Sequence, residues 1–169
     1  MAAQLLGMAA PFLPAETLQR ITRWLPQADD PPINDGLARE AFAPLARLGA
    51  PQLLTETARS WATAPEKWTR RFAAAALLAL AEDRQFENIP ALLAVLAELM
   101  ADPEPDVRKV AAEVLLALLP RSPAEVRRFL RDQARLGRRA TARLIRQIWP
   151  ALDAETQAVL QPWLRAASL

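Results

Sequence analysis

Residues 61–83, WATAPEKWTRRFAAAALLALAED, read as one α-helix with an aromatic, basic entrance and a body of small residues. Its centre, RRFAAAALLAL from Arg70 to Leu80, aligns without a gap on RKVAAEVLLAL from Arg108 to Leu118, and seven of the eleven positions are identical. A self-match at an offset of 38 residues is the mark of a helical repeat, in which paired helices stack and bury each other's apolar faces.

Composition agrees with that reading. The chain has 169 residues, 52% of them hydrophobic, with 4 glycines and no tyrosine. That length suits one domain, 1–169, with enough apolar surface for a core. Ala and Leu dominate, and both rank high in helix propensity. Strand alternation is missing. The chain has no cysteine and no histidine, which removes disulfides, thiolate nucleophiles, cysteine-based zinc sites and the commonest general base. No cofactor and no metal are expected. The longest purely apolar run, Phe72–Ala81, is ten residues, against the roughly 20 needed to span a bilayer. The first 15 residues carry no charge, and the first charged residue is Glu16. They read as a folded helix and not as a signal peptide, so a cytoplasmic location and no membrane partner are expected.

Punctuation by Pro, Gly and capping residues divides the chain into about ten helices joined by short loops. Ala2–Met8 and Ala15–Leu25 come first. The spacing then predicts a loop over Gln27–Ile33, because Pro31 and Pro32 suit no helix interior. Asn34 or Asp35 is expected to cap a helix reaching Leu48 and kinked at Pro44, with Leu37, Ala41, Leu45 and Leu48 on its buried face. A turn at Gly49-Ala50-Pro51 leads to Gln52–Thr63, with Leu53, Leu54, Thr57 and Trp61 on one face. Lys67–Ala81, Pro90–Ala101 capped by Asn88, Asp106–Leu119 capped by Asp106, and Ala124–Arg135 entered by Ser122-Pro123 follow. The last two are Arg138–Trp149 and Ala154–Arg165, the latter capped by Asp153 and disrupted near its end by Pro162. Paired as 34–63, 67–101, 106–135 and 138–165, these give an all-α, HEAT-like helical-repeat solenoid.

Charge is uneven. The net charge is +2, and 19 of the 21 basic residues are Arg. Residues 1–103 hold 9 basic and 12 acidic side chains, whereas residues 104–169 hold 12 and 7. Arg127, Arg131 and Arg135 are four apart on one helix, and Arg139, Arg143 and Arg146 form a second stripe. Like charges at that spacing repel unless an anion intervenes, and the Arg fork fits phosphate. A solvated outer face, or a composition bias that enriches Arg together with Ala, Pro and Leu, accounts for the same pattern.

The segment Trp61-Ala-Thr-Ala-Pro-Glu-Lys-Trp68-Thr-Arg-Arg71 resembles the W-x-x-S-x-N-x-W-x-x-R signature of the DNA alkylation repair (AlkD-like) family. Pro105-Asp-Val-Arg-Lys109, Ser122–Leu130 and Asn34-Asp35-Gly-Leu-Ala38 resemble further segments of that family, over about residues 20–148 in all. The resemblance implies a HEAT-repeat groove that grips double-stranded DNA by its phosphates. It also implies hydrolysis of the N-glycosidic bond of positively charged N-alkylated purines, with no base flipping required. Asp35 would be the catalytic carboxylate that stabilises positive charge on the sugar. Arg71, Arg108 and Lys109 would be backbone clamps. Trp61, Trp68, Arg70, Arg139, Arg143 and Arg146 complete the expected DNA-binding set. Three positions depart from the family pattern. Pro31 stands where a lesion-facing tryptophan is expected, Glu113 where the second is expected, and Leu116 where an arginine is expected. The chain also has less sequence before Asp35 than the resemblance implies. A DNA-binding protein with weak or lost excision activity follows. A protein–protein interaction scaffold is the alternative, since repeat grooves hold peptides as readily as DNA.

Overall fold

The computed structural model describes residues 2–9, 12–48 and 53–166. Ten helices run through them: α1 (Ala2–Ala9), α2 (Pro14–Trp24), α3 (31–48), α4 (53–62), α5 (Lys67–Glu82), α6 (Ile89–Leu99), α7 (Pro105–Leu118), α8 (Pro123–Arg135), α9 (Arg139–Ile148) and α10 (Ala154–Ala166). The helices from α3 onward alternate between two layers. In the first layer α3 packs on α5, α5 on α7, and α7 on α9. In the second layer α4 packs on α6, α6 on α8, and α8 on α10. Consecutive helices turn back on themselves, so helices of one layer run in the same direction. This is the all-α helical-repeat architecture that the internal match predicts.

The repeat helix lies at the centre. Every residue from Arg71 to Leu77 of α5 is buried, and so are Leu80 and Ala81. Ala73, Ala74 and Ala76 in α5, with Ala111 and Ala112 in α7, leave room for close approach of two helix backbones. A ridge of longer side chains, Phe72, Leu77, Val110, Val114 and Leu115, fills the grooves between them. Trp61 from α4 is 4% exposed and stacks edge-on against Phe42 (5.2 Å between centroids) and Phe72 (5.1 Å). This aromatic knot joins α3, α4 and α5. Among the described residues, no helix is long and apolar enough to cross a membrane.

Several local expectations are corrected. Pro31 and Pro32 are not in a loop but open α3, behind Asp30. The first turn of a helix has no intrahelical partners for its N–H groups, so proline loses nothing there. Asn34 and Asp35 therefore lie in the second turn and cap nothing. Pro44 does interrupt α3, through a wide π-type turn over Ala38–Phe42 just before it. Lacking an N–H, Pro44 cannot bond the Glu40 carbonyl, and the helix widens there instead of breaking. Gly7 of α1 sits against that carbonyl: a Cβ at Gly7 would fall 1.8 Å from the Glu40 oxygen. Asp106 is in the first turn of α7 and does not cap it, because Pro105 starts the helix after Glu104. Pro162 leaves α10 intact to Ala166. Asn88 does cap α6, accepting from the Ala91 N–H at 3.2 Å. The turn at Gly49-Ala50-Pro51, residue Gln52 and the side chains of Leu48, Leu53 and Leu54 lie outside the described residues.

The arginine stripe of α8 finds its anions within the protein. Arg127 reaches Asp153 at 3.2 Å and Glu155 at 2.5 Å, while Arg131 and Arg135 share Asp132 at 3.4 and 3.7 Å. Asp153 also accepts from the Thr156 N–H at 2.7 Å, capping α10. That N–H, then the Thr156 hydroxyl and Arg127, hold the Asp153 carboxyl below its ordinary range.

Two outcomes are expected. Gly7→Ala destabilises the protein by about 1–3 kcal/mol, the usual cost of overpacking, although alanine is the better helix former; chemical denaturation measures it. Asp153 has a depressed folded pKa, so its contribution is present above its unfolded value and lost as pH falls through the folded one. Asp153→Asn should therefore melt below wild type at neutral pH, with the gap closing in acid; melting curves across the acid range would show it.

Candidate nucleic-acid interface

The four first-layer helices begin at equivalent places: Pro31, Lys67, Pro105 and Arg139 are their first residues. Counting from these starts sorts the candidate residues by register. The fourth positions are Asn34, Arg70, Arg108 and Ala142. The fifth positions are Asp35, Arg71, Lys109 and Arg143.

Fourth-position side chains turn back onto the preceding loop. Asn34 Nδ2 donates to the Ala28 carbonyl at 2.5 Å. Arg70 donates to the carbonyls of Ala64 (2.9 Å) and Pro65 (2.7 Å). Arg108 repeats this on Asp102 and Pro103, each acceptor exactly one repeat, 38 residues, further on. In each case the anchor is the carbonyl six residues earlier. Arg70 also reaches across to the next repeat, where its Nε meets Asp102 Oδ2 at 2.6 Å. The Arg70 and Asp102 side chains are only 12% and 2% exposed, so this is a buried pair whose charge is spent inside the protein.

Fifth-position side chains take a different direction. A helix advances about 100° per residue, so position five faces away from the loop that position four locks. Arg71 Nη1 donates to Asp35 Oδ1 at 2.9 Å and Nη2 to Oδ2 at 3.4 Å, a two-pronged pair between neighbouring helices. Nη1 also contacts the Pro31 carbonyl at 3.5 Å. The Arg71 side chain is 9% exposed but the Asp35 side chain is 50% exposed, so the carboxylate opens to solvent above a covered guanidinium. Lys109 and Arg143 are exposed in the same register on α7 and α9. Helices packed side by side lie about 8–10 Å apart, so the row reads carboxylate, guanidinium, ammonium, guanidinium across one layer. No cluster of three or more His, Cys, Asp or Glu among the described residues is placed to hold a metal ion.

The remaining candidates scatter. Trp61 belongs to the buried aromatic knot. Trp68 is half-buried at the second position of α5, with the Lys67 ammonium 4.7 Å above its ring. Arg139 is exposed at the start of α9, while Arg146 donates to the Leu164 carbonyl at 2.7 Å, tying α9 to α10. Glu113 and the exposed Leu116 share the outward stripe of α7 with Lys109. Sequence reasoning missed the loop anchor at Asn34 and the pairing of Asp35 with Arg71. The available signal was proline as a first helical residue, which fixes the register of everything after it.

A family model described as DNA alkylation repair enzyme matches residues 1–146. No curated protein and no solved structure matches the chain.

The two registers predict opposite mutational outcomes. Arg70→Gln strands the buried Asp102 charge and should cost about 3–5 kcal/mol. Lys109→Ala touches only solvent and should stay within about 0.5 kcal/mol of wild type. Urea unfolding of the two variants separates them.

Proposed function

This chain belongs to the DNA alkylation repair enzyme family, and on that footing we propose that it binds double-stranded DNA along the fifth-position row of its HEAT-like first layer. The observation that carries this reading is the shared register of Asp35, Arg71, Lys109 and Arg143. Lys109 and Arg143 have no acidic partner among the described residues. Cations held one helix apart form a regular track for phosphates. Arg139 at the start of α9 and Lys67 with Trp68 at the start of α5 extend it. Arg70, Arg108 and Arg146 support the track by holding loops and helices in place, and Trp61 by packing.

Asp35 sits at one end of the row with its carboxylate half exposed. A carboxylate there is suited to stabilise the positive charge that builds on a sugar as an N-glycosidic bond lengthens, by the electrostatic logic of glycosidic cleavage. Arg71 shares that charge through two hydrogen bonds, which weakens its field at a substrate. Pro31 and Glu113 offer no aromatic face to a cationic base, where cation–π contact would otherwise help hold it. Both features favour binding with weak excision over efficient catalysis.

A second reading, a protein-binding scaffold, rests on an open cleft of about 410 Å³ in the second layer, floored by Leu93, Ala97 and Phe129. Titration of labelled duplex at several salt concentrations decides between them. Duplex affinity should fall steeply with salt, and the Lys109→Ala, Arg143→Ala double variant should reduce the log–log slope by about 2. Absence of binding at low salt overturns the DNA reading and leaves the scaffold. On duplex containing N7-methylguanine, Asp35→Asn should abolish whatever slow release the wild type shows; equal release by both removes Asp35 from the chemistry.

A further inference from the structure

Outside the fifth-position row, the junction of α1 and α2 joins an aromatic face to cations that have no acidic partner among the described residues. Two clefts meet at α2 and share Glu16, Arg20 and Trp24. The first, of about 390 Å³, lies between α1 and α2 and is walled by Leu5, Leu6, Ala9 and Leu13. The second, of about 640 Å³, is polar and adds Gln19 and Arg23. Trp24 is half-buried at their junction.

Three features distinguish this place from ordinary helix surface. Thr17 is 1% exposed and lines the apolar cleft, yet its hydroxyl has no hydrogen-bond partner among the described residues. A buried hydroxyl left unpaired is costly, and a ligand edge carrying a donor or acceptor would satisfy it. Leu5 and Leu13 are 62% and 51% exposed, so the cleft leaves large apolar side chains uncovered. Arg20 and Arg23 have no acidic partner among the described residues and flank Trp24 on one side of α2.

An apolar slot, an aromatic ring, a buried threonine hydroxyl in its lining and two guanidinium groups near Glu16 match the parts of a nucleotide. We propose that the junction of α1 and α2 binds an unpaired nucleotide of a DNA strand. The base stacks on Trp24 and hydrogen-bonds Thr17 by its edge, and the flanking phosphates lie on Arg20 and Arg23. Stacking on aromatic side chains beside a basic track is how single strands are held without regard to sequence. The proposal rests on the reading of the chain as a DNA binder, but it uses none of the fifth-position side chains, so the two can fail separately.

The test is fluorescence anisotropy with labelled oligodeoxyadenylate and with intact duplex, alongside competition by adenosine monophosphate. Trp24→Ala should weaken single-strand binding about tenfold, while Trp24→Phe, which keeps a ring, should stay within about threefold. Thr17→Val, a change of nearly equal volume, should also weaken it. Trp24→Ala should leave intact duplex affinity unchanged, and the Lys109→Ala, Arg143→Ala pair should do the reverse. Circular dichroism melting establishes that each variant is folded. Single-strand affinity unaffected by Trp24→Ala and Thr17→Val overturns the base site, as does a loss confined to Arg20→Gln and Arg23→Gln. Binding of the free nucleotide without binding of the strand overturns the assignment to DNA.

Discussion

The fold depends on one recurring hydrogen bond, from a side chain at the fourth position of a first-layer helix to the carbonyl six residues earlier. Asn34, Arg70 and Arg108 each make it. The bond satisfies a loop carbonyl that the incoming helix leaves without a backbone partner, and it fixes the angle at which chain enters helix. Through Asp102 the Arg70 side chain also sets the distance to the next repeat. With loops held in this way, the apolar faces of α5 and α7 meet in register, and their alanines bring the backbones close. The small-residue body of the repeat helix requires that precision, since Ala–Ala contacts cannot absorb a misplaced helix as longer side chains can.

Adjacent residues of one chemical type thus have separate work. Arg70 and Arg71 are neighbours in sequence, as are Arg108 and Lys109. One of each pair is bound into the scaffold and the other faces a neighbouring helix or solvent. The unequal charge of the two halves of the chain follows a similar division. Arg127, Arg131 and Arg135 of α8 bind Asp132, Asp153 and Glu155, and Arg121 donates to the carbonyls of Ala81, near the end of α5, and Phe86, in the loop after it. Much of the basic excess therefore serves helix ends and interlayer joints, and a minority of cations stays outward.

The architecture was legible because it is written redundantly. An eleven-residue match, ten segments bounded by Pro, Gly and caps, and few glycines all point to paired helices, and family membership follows the same residues. The site was legible only in part. Asp35 stands out in the sequence, but Pro31 and Pro32 read there as helix breakers, which puts Asp35 at a cap and not in the second turn opposite Arg71. Trp61 belongs by resemblance to a DNA-binding signature, whereas Phe42 and Phe72, distant in the chain, enclose it. The difference between Arg70 and Arg71 is a rotation of about 100°, which composition cannot express and helix register can.

The fourth-position bond has one gap, at Ala142 in α9, just after Gly137 with its positive φ of 65°. There the entering loop has no side-chain tether of the Asn34, Arg70 or Arg108 kind. The family match ends four residues later, at 146. Where the tethered side chain also reaches the next repeat, as Arg70 reaches Asp102, insertion or deletion of a unit is disruptive, because the tether and its partner must be rewritten together. At α9 a bond of another kind takes its place: the buried Thr141 hydroxyl donates to the Met100 carbonyl at 3.3 Å. The entrance of α9 is therefore held from the end of α6 and not by its own loop, so its position follows the neighbouring repeat.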